Sequence, residues 1–404
     1  MKDYKIRFQV HDVLYFFLLV FSFYFTRNVI CSIMMILFFG YTVLRQMLNR
    51  EKVAPPFFCV AFLAFILYGA ANILFDNVLR ADVARKMVIS LSLSLMMIYA
   101  ITQYILMRRD VPKVLYITEI SIFAVCIVII LQSIGTISQG RLASGTEMNS
   151  NMLAMLCVYG AILAAFLRRT NKISIGFFLA SFAVYIIAIL LTGSRKGLIM
   201  FVLAIMILNL KGGWKRILGG VLIGVMLAVV LYILVMNVKF LYDIIGIRIE
   251  SLLNLLIEGS TDEGSLNSRQ ELIEIGMEYI KKKPWTGYGY DCFKVVSGRG
   301  EGGYVSAEKF GYYSHNNYIE LLFGGGIIGL ILYYIPMLSL LKNLLQMLKK
   351  NPVVIYLLAI IVVKLVVEYA YVSCFERIDA YIHGIVLGCI IAVANTVNKE
   401  KADG

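Results

Sequence analysis

Four side chains of this 404-residue chain could do chemistry together: Arg141, Arg195, Arg269 and His315. Each lies in a polar stretch beside an apolar run. The stretches are "GRLASGTEMNSNMLA" (Gly140 to Ala154), "LLTGSRKGLI" (Leu190 to Ile199), "NSRQELIEIGMEYIKKKPWTGYGYDCF" (Asn267 to Phe293) and "GYYSHNNYIELLFGGGIIGLILYY" (Gly311 to Tyr334). A guanidinium stays charged and its planar fork matches phosphate oxygens, so arginines suit an anion whose charge grows during a reaction. Histidine titrates where a general base must, and the chain has only three. Asn316, Asn317 and Glu320 follow His315 closely enough to orient a sugar or phosphate. Each residue has a plainer alternative: Arg195 snorkelling to lipid headgroups, Arg269 solvated, His315 interfacial, the two asparagines capping a helix. Glu320 lies about 140° around a helix from His315, so it is not an obvious partner for the imidazole. Lys196 adjoins Arg195 without belonging to a motif, and reads as a surface residue.

The elements that must position these groups are membrane helices. The chain is 60% hydrophobic and only 16% charged, with a mean hydropathy of +0.82; soluble domains carry far more charge. Runs long enough to cross a bilayer recur along it. They fall near 13–25, 29–44, 57–75, 87–107, 114–134, 152–167, 173–192, 198–210, 217–238, 316–341, 353–370 and 380–396. The predicted class is an all-α polytopic membrane protein of about 12 transmembrane helices, with 13–25 and 198–210 unusually short. Basic residues orient it. With the first end inside, six successive inside segments carry three Lys/Arg each, beginning with Lys2, Lys5 and Arg7, while short outside loops carry one to three. Both termini are therefore expected in the cytoplasm, and the first span reads as a retained signal anchor. The net charge of +13 is mainly this topology signal; no loop combines basic and aromatic residues as nucleic-acid binding would require.

One connection is exceptional. Lys239 to Ser314, between the ninth and tenth spans, faces outward and nearly balances its charges, with nine Lys/Arg against eleven Asp/Glu. So long a loop implies a task and some helix of its own. The predicted division is an N-terminal bundle of nine spans (1–238), an extracytoplasmic loop carrying site residues (239–315), and three C-terminal spans with a short cytoplasmic tail (316–404). Within the loop, Ser268 followed by Glu271 predicts a capping box that puts Arg269 in the first turn of a helix, an anion-favouring place. Leu272, Ile275, Gly276, Tyr279 and Ile280 give that helix an apolar face, and Pro284 ends it.

Five cysteines fall within spans, and a Cys292–Cys374 disulfide is the one pairing the topology allows. Gly324, Gly325, Gly326 and Gly329 predict close helix packing, Lys364 and Glu368 an intramembrane ion pair, and His383 a packing role. Glu119 is one more buried charge in need of a partner.

The four polar stretches, in this order and with the long loop between the second and fourth, resemble the O-antigen ligase and polysaccharide polymerase superfamily of Wzy- and WaaL-like membrane proteins. The first is like its Arg…Gly…Asn…Ala pattern, though Glu-Met-Asn-Ser-Asn stands where the family often has a proline before the asparagine. The second is like its Thr-Gly-Ser-Arg-x-Gly turn. The third is like its Ser-Arg, Pro, Gly-x-Gly and Phe series, and the fourth like its His-Asn-x-Tyr-(Leu/Ile)-Glu run. The resemblance implies transfer of a glycan from undecaprenyl diphosphate to a hydroxyl on the outer face of the cytoplasmic membrane, inverting and without a metal or other cofactor. It implies Arg195 and Arg269 as phosphate ligands, joined by Arg141, with His315 either activating the acceptor hydroxyl or donating to the diphosphate. The donor is then an undecaprenyl-diphosphate-linked oligosaccharide. In a polymerase of capsule or O-antigen-type repeat units the acceptor is another glycan; in a ligase it is a lipid, wall polymer or protein. A polymerase would also suggest a chain-length regulator as partner. From another class, a polysaccharide or lipid transporter fits twelve spans and intramembrane charges, but the sequence has no internal repeat. The enzyme reading requires Arg195, Arg269 and His315 to meet on one side of the membrane.

Overall fold

In a computed structural model, residues 8–25, 29–50, 55–135, 141–143, 146, 148–209, 214–258, 264–297 and 311–402 are described. Every regular element among them is helical. Nine apolar helices come first: α1 (Val10–Tyr24), α2 (Val29–Leu48), α3 (Phe57–Leu74), α4 (Ala81–Arg108), α5 (Val111–Ser133), α6 (Ser150–Arg169), α7 (Ile175–Leu191), α8 (Arg195–Leu208) and α9 (Trp214–Asn237). A short α10 (Lys239–Leu241) and a π-helical turn lead into α11 (Ile247–Glu258), α12 (Gly264–Lys282) and the single-turn α13 (Phe293–Val296). Three more apolar helices close the chain: α14 (Asn317–Met347), α15 (Val354–Val367) and α16 (Arg377–Ala402). Eight of these are long and apolar enough to cross a membrane. The shorter α1, α7, α8 and α15 occupy the other four predicted spans. The protein is an all-α, multi-pass membrane protein.

The helices start where the sequence supplies a cap. Asp110, Asn149, Ser174, Ser194 and Asn316 each accept a backbone N–H from the first turn of α5, α6, α7, α8 and α14, satisfying donors that would otherwise be unpaired at the membrane boundary. α6 is buried on almost every side, against α5, α7 and α8. α16 lies along α4, where Gly384 and Gly388 let the two backbones approach, and α14 lies along α3.

The long polar segment is built into the bundle. α12 places Leu272 and Ile280 in a small apolar core with Val83, Phe293, Ile319 and Phe323, and Gly276 brings its backbone against Ile319. The predicted apolar face and the stop at Pro284 hold. The predicted start does not: α12 begins at Gly264, so Ser268 is its fifth residue and Arg269 lies in its second turn. Gly264 to Asn267, mostly poor helix formers, are nevertheless helical, so propensity does not explain the earlier start.

Gly325 and Gly329 face Tyr68 of α3, as close helix packing predicts, but the glycine run also does something else. α14 is broken at Gly326, whose φ of 63° lies outside the helical region, and the strand of chain from Pro284 to Gly289 fills the break. Ile327 N donates to Pro284 O (2.8 Å), Tyr288 N to Phe323 O (2.7 Å) and Gly289 N to Gly324 O (2.8 Å). A Cβ at Gly287 would stand 2.5 Å from Phe323 O, so only glycine lets the two backbones meet.

Buried charges have partners. Lys364 pairs with Glu368 as predicted, and Ser373 and Tyr334 donate to the same carboxylate; Asp379 stands 3.9 Å from Lys364. Tyr185 donates to Glu119 (3.1 Å), and His383 packs against Phe58. All seven cysteines are free and buried, so the Cys292–Cys374 disulfide does not form; Cys292 instead donates to Arg80 O.

Candidate active site

The connections α5–α6, α7–α8 and α15–α16 reach the same end of the bundle as the α9–α14 segment, and the polar residues of all four meet there. Arg141 is anchored first. The N–H of Leu142 donates to Leu191 O (2.9 Å), tying this connection to the end of α7. Arg141 Nε then donates to Thr192 O (2.5 Å) and Nη2 to Asn151 Oδ1 (3.2 Å). Asn151 Oδ1 also accepts from Ser194 Oγ (2.9 Å), joining the two connections through one amide. Gly193 turns the chain with a φ of 57°, where a Cβ would meet Ile244 O at 2.7 Å. That turn delivers Arg195 as the first residue of α8, and its Nη1 donates to Arg248 O in α11 (2.7 Å).

Lys196 points the other way, and it corrects the expectation of a surface residue. Its side chain is buried, 8% exposed, with Nζ 5.7 Å from the centre of the Tyr371 ring. It lies within the fields of Arg269, Arg195 and Arg141. Sequence reasoning missed it because the side that faces inward at the top of α8 is set by where α15 and the connection after it pack.

Arg269, half-buried on α12, and Lys196 both act on His315. Burial first, then these two cations, lower the imidazole from 6.5 to about 4, so it is neutral at physiological pH. His315 itself is held at a left-handed φ of 55° beside the Tyr313 ring, 4.2 Å between centroids. Glu320 secures that loop: its Oε2 accepts the N–H of Ser314 (2.9 Å), and Ser314 Oγ donates to Asn316 O (2.8 Å). Asn316 Oδ1 caps α14, accepting from Tyr318 N (3.0 Å) and Ile319 N (3.2 Å). Asn317 is fully buried; its Oδ1 accepts from Ser373 N (3.0 Å) and Cys374 N (2.9 Å), and its Nδ2 donates to the Tyr334 hydroxyl (3.1 Å). Thus Arg141, Arg195, Arg269 and His315 come together, with Lys196 added, whereas Asn316, Asn317 and Glu320 turn their side chains into the scaffold beneath them. Among the described residues, no three His, Cys, Asp or Glu side chains gather in a metal-binding group.

An apolar groove of about 520 Å3 starts at Arg195 and runs down α8 between α9 and α11. Leu198, Val202, Met206, Leu231, Tyr232 and Leu252 line it. A larger cavity, about 940 Å3, lies at the opposite end of the bundle near Arg109, Asn351 and Lys399, away from this chemistry.

A cationic centre thus stands at the head of an apolar groove. Residues 180–334 match the O-antigen ligase family. The match supports the resemblance to the O-antigen ligase and polymerase superfamily, and with it glycosyl transfer of the ligase or polymerase type. The matched span contains Arg195, Lys196, Arg269, His315 and Glu320, while Arg141 precedes it. No curated protein matches the chain.

Proposed function

We propose that this protein polymerises a capsule or O-antigen-type polysaccharide, transferring glycan from undecaprenyl diphosphate to a hydroxyl of an acceptor glycan at the outer face of the cytoplasmic membrane. The observation that carries the reading is the meeting of three arginines and a neutral histidine at the head of an apolar groove. The groove takes the proximal part of the polyprenyl chain, and Arg195, Arg269 and Arg141 hold the diphosphate. His315 accepts the proton of the acceptor hydroxyl as its oxygen attacks the anomeric carbon. The bond from that carbon to the diphosphate oxygen breaks on the opposite face, inverting the configuration. The departing diphosphate gains one negative charge, which the guanidinium groups stabilise without rearranging. The bound anion also offsets the cations around His315, so the imidazole becomes more basic once the donor is in place. Asn316, Asn317 and Glu320 fix the loop and helix end that carry His315. The description of the matched family favours a second reading, a ligase that uses the same donor chemistry with a different acceptor.

The test is turnover of a purified undecaprenyl-diphosphate-linked repeat unit with a chelator present. Wild type gives ladders of longer glycan, and His315→Ala or Arg269→Ala lowers the rate about 100-fold or more while inserting normally. Full ladders from both variants remove these residues from the site. Consumption of the donor only when a lipid, wall polymer or protein acceptor is added identifies the ligase.

A further inference from the structure

Lys196 is the one cation of the centre whose surroundings call for an anion from outside the protein. Its side chain is buried, yet among the described residues no carboxylate or hydrogen-bond acceptor meets its Nζ, which stands 5.7 Å from the centre of the Tyr371 ring. Arg141 and Arg195 each give hydrogen bonds to backbone carbonyls, of Thr192 and Arg248. Burial of the side chain first, then Arg269, Arg195 and Arg141, oppose the charge on Lys196. An anion entering the site would offset both effects and favour the ammonium form. Position says which part of the substrate does so. The groove begins at Arg195, so the phosphate nearest the lipid tail lies beside Arg195. Lys196 and Arg269 are the cations that act on His315, so Lys196 is assigned to the acceptor side of the tail phosphate.

We propose that Lys196 donates its ammonium to the sugar-bearing phosphate of the donor and makes the site select diphosphate carriers over monophosphate ones. This rests on the donor chemistry proposed above. A tail-proximal phosphate alone is held by the arginines at the groove; only the second phosphate reaches Lys196.

The experiment measures binding of undecaprenyl diphosphate and undecaprenyl monophosphate to the full chain in detergent, for wild type, Lys196→Met and Lys196→Arg, with inorganic diphosphate as competitor. Wild type binds the diphosphate lipid more tightly, and inorganic diphosphate displaces it. Lys196→Met weakens diphosphate binding about ten- to hundredfold, the range of a charged hydrogen bond, and leaves monophosphate binding nearly unchanged. Lys196→Arg restores most of the preference. Equal weakening of both lipids, or an unchanged preference in Lys196→Met, overturns the role of Lys196 and leaves the donor reading standing. Failure of wild type to bind either lipid overturns both. Lys196→Gln serves if the methionine variant does not fold, and if neither neutral variant folds while Lys196→Arg does, the ammonium is structural and the proposal falls.

Discussion

His315 adopts a backbone conformation that costs a non-glycine residue about 1–2 kcal/mol, and Glu320 meets part of that cost by accepting the Ser314 N–H. Glu320→Ala leaves that buried N–H unpaired, an expected loss of about 1–3 kcal/mol. Thermal unfolding in detergent checks the loss, and turnover should fall with it because the imidazole is no longer held in place. The neutral state of His315 sets a second expectation. With the group lowered to about 4, a base that must be unprotonated stays ready through pH 5–7, and kcat/KM falls only as pH drops through about 4. A pH profile of kcat/KM with its acid limb near the ordinary histidine value of about 6.5 would contradict the burial described. Arg195, Arg269 and His315 were legible in the sequence because charge at the border of an apolar run is conspicuous there. Lys196 was not, since burial depends on Tyr371, far along the chain, and neither was the partner of Glu320, a backbone group that only the turn at His315 brings within reach.

Among the elements, the joint between Pro284–Gly289 and the break in α14 fixes α12 relative to His315. Gly326→Ala sets a side chain in a left-handed conformation and drives its Cβ into the Trp285 carbonyl. The expected cost exceeds about 2 kcal/mol, with both Tm and activity falling. Gly40→Ala in α2, where nothing stands within 4 Å, serves as the control and should leave both unchanged. The twelve apolar segments could be read directly, because hydrophobic length is a one-dimensional signal. The break could not: a glycine run within a span reads equally as a helix-packing face, and only the partner backbone distinguishes the two. The start of α12 was not legible either, because Gly264 to Asn267 carry little local helical preference.

At the scale of the whole molecule, the cations of the site come from connections at one end of the bundle, and that end is expected outside the cell. A cysteine placed at Glu278, exposed on α12, should react with a membrane-impermeant maleimide added to intact cells, and one at Asn49 should react only after lysis. The seven native cysteines are buried and give little background; the reverse pattern would place the site in the cytoplasm and exclude a lipid-linked donor presented outside. The alternation of basic segments predicts this orientation from sequence alone, whereas the meeting of four distant connections is a product of packing. The break in α14 also bears on how the protein is made. Pro284 to Gly289 leave the ribosome well before Gly326, so their backbone donors wait for a partner not yet synthesised. The site closes only when α14 enters the membrane, so a chain stalled before that point carries three arginines and no assembled centre.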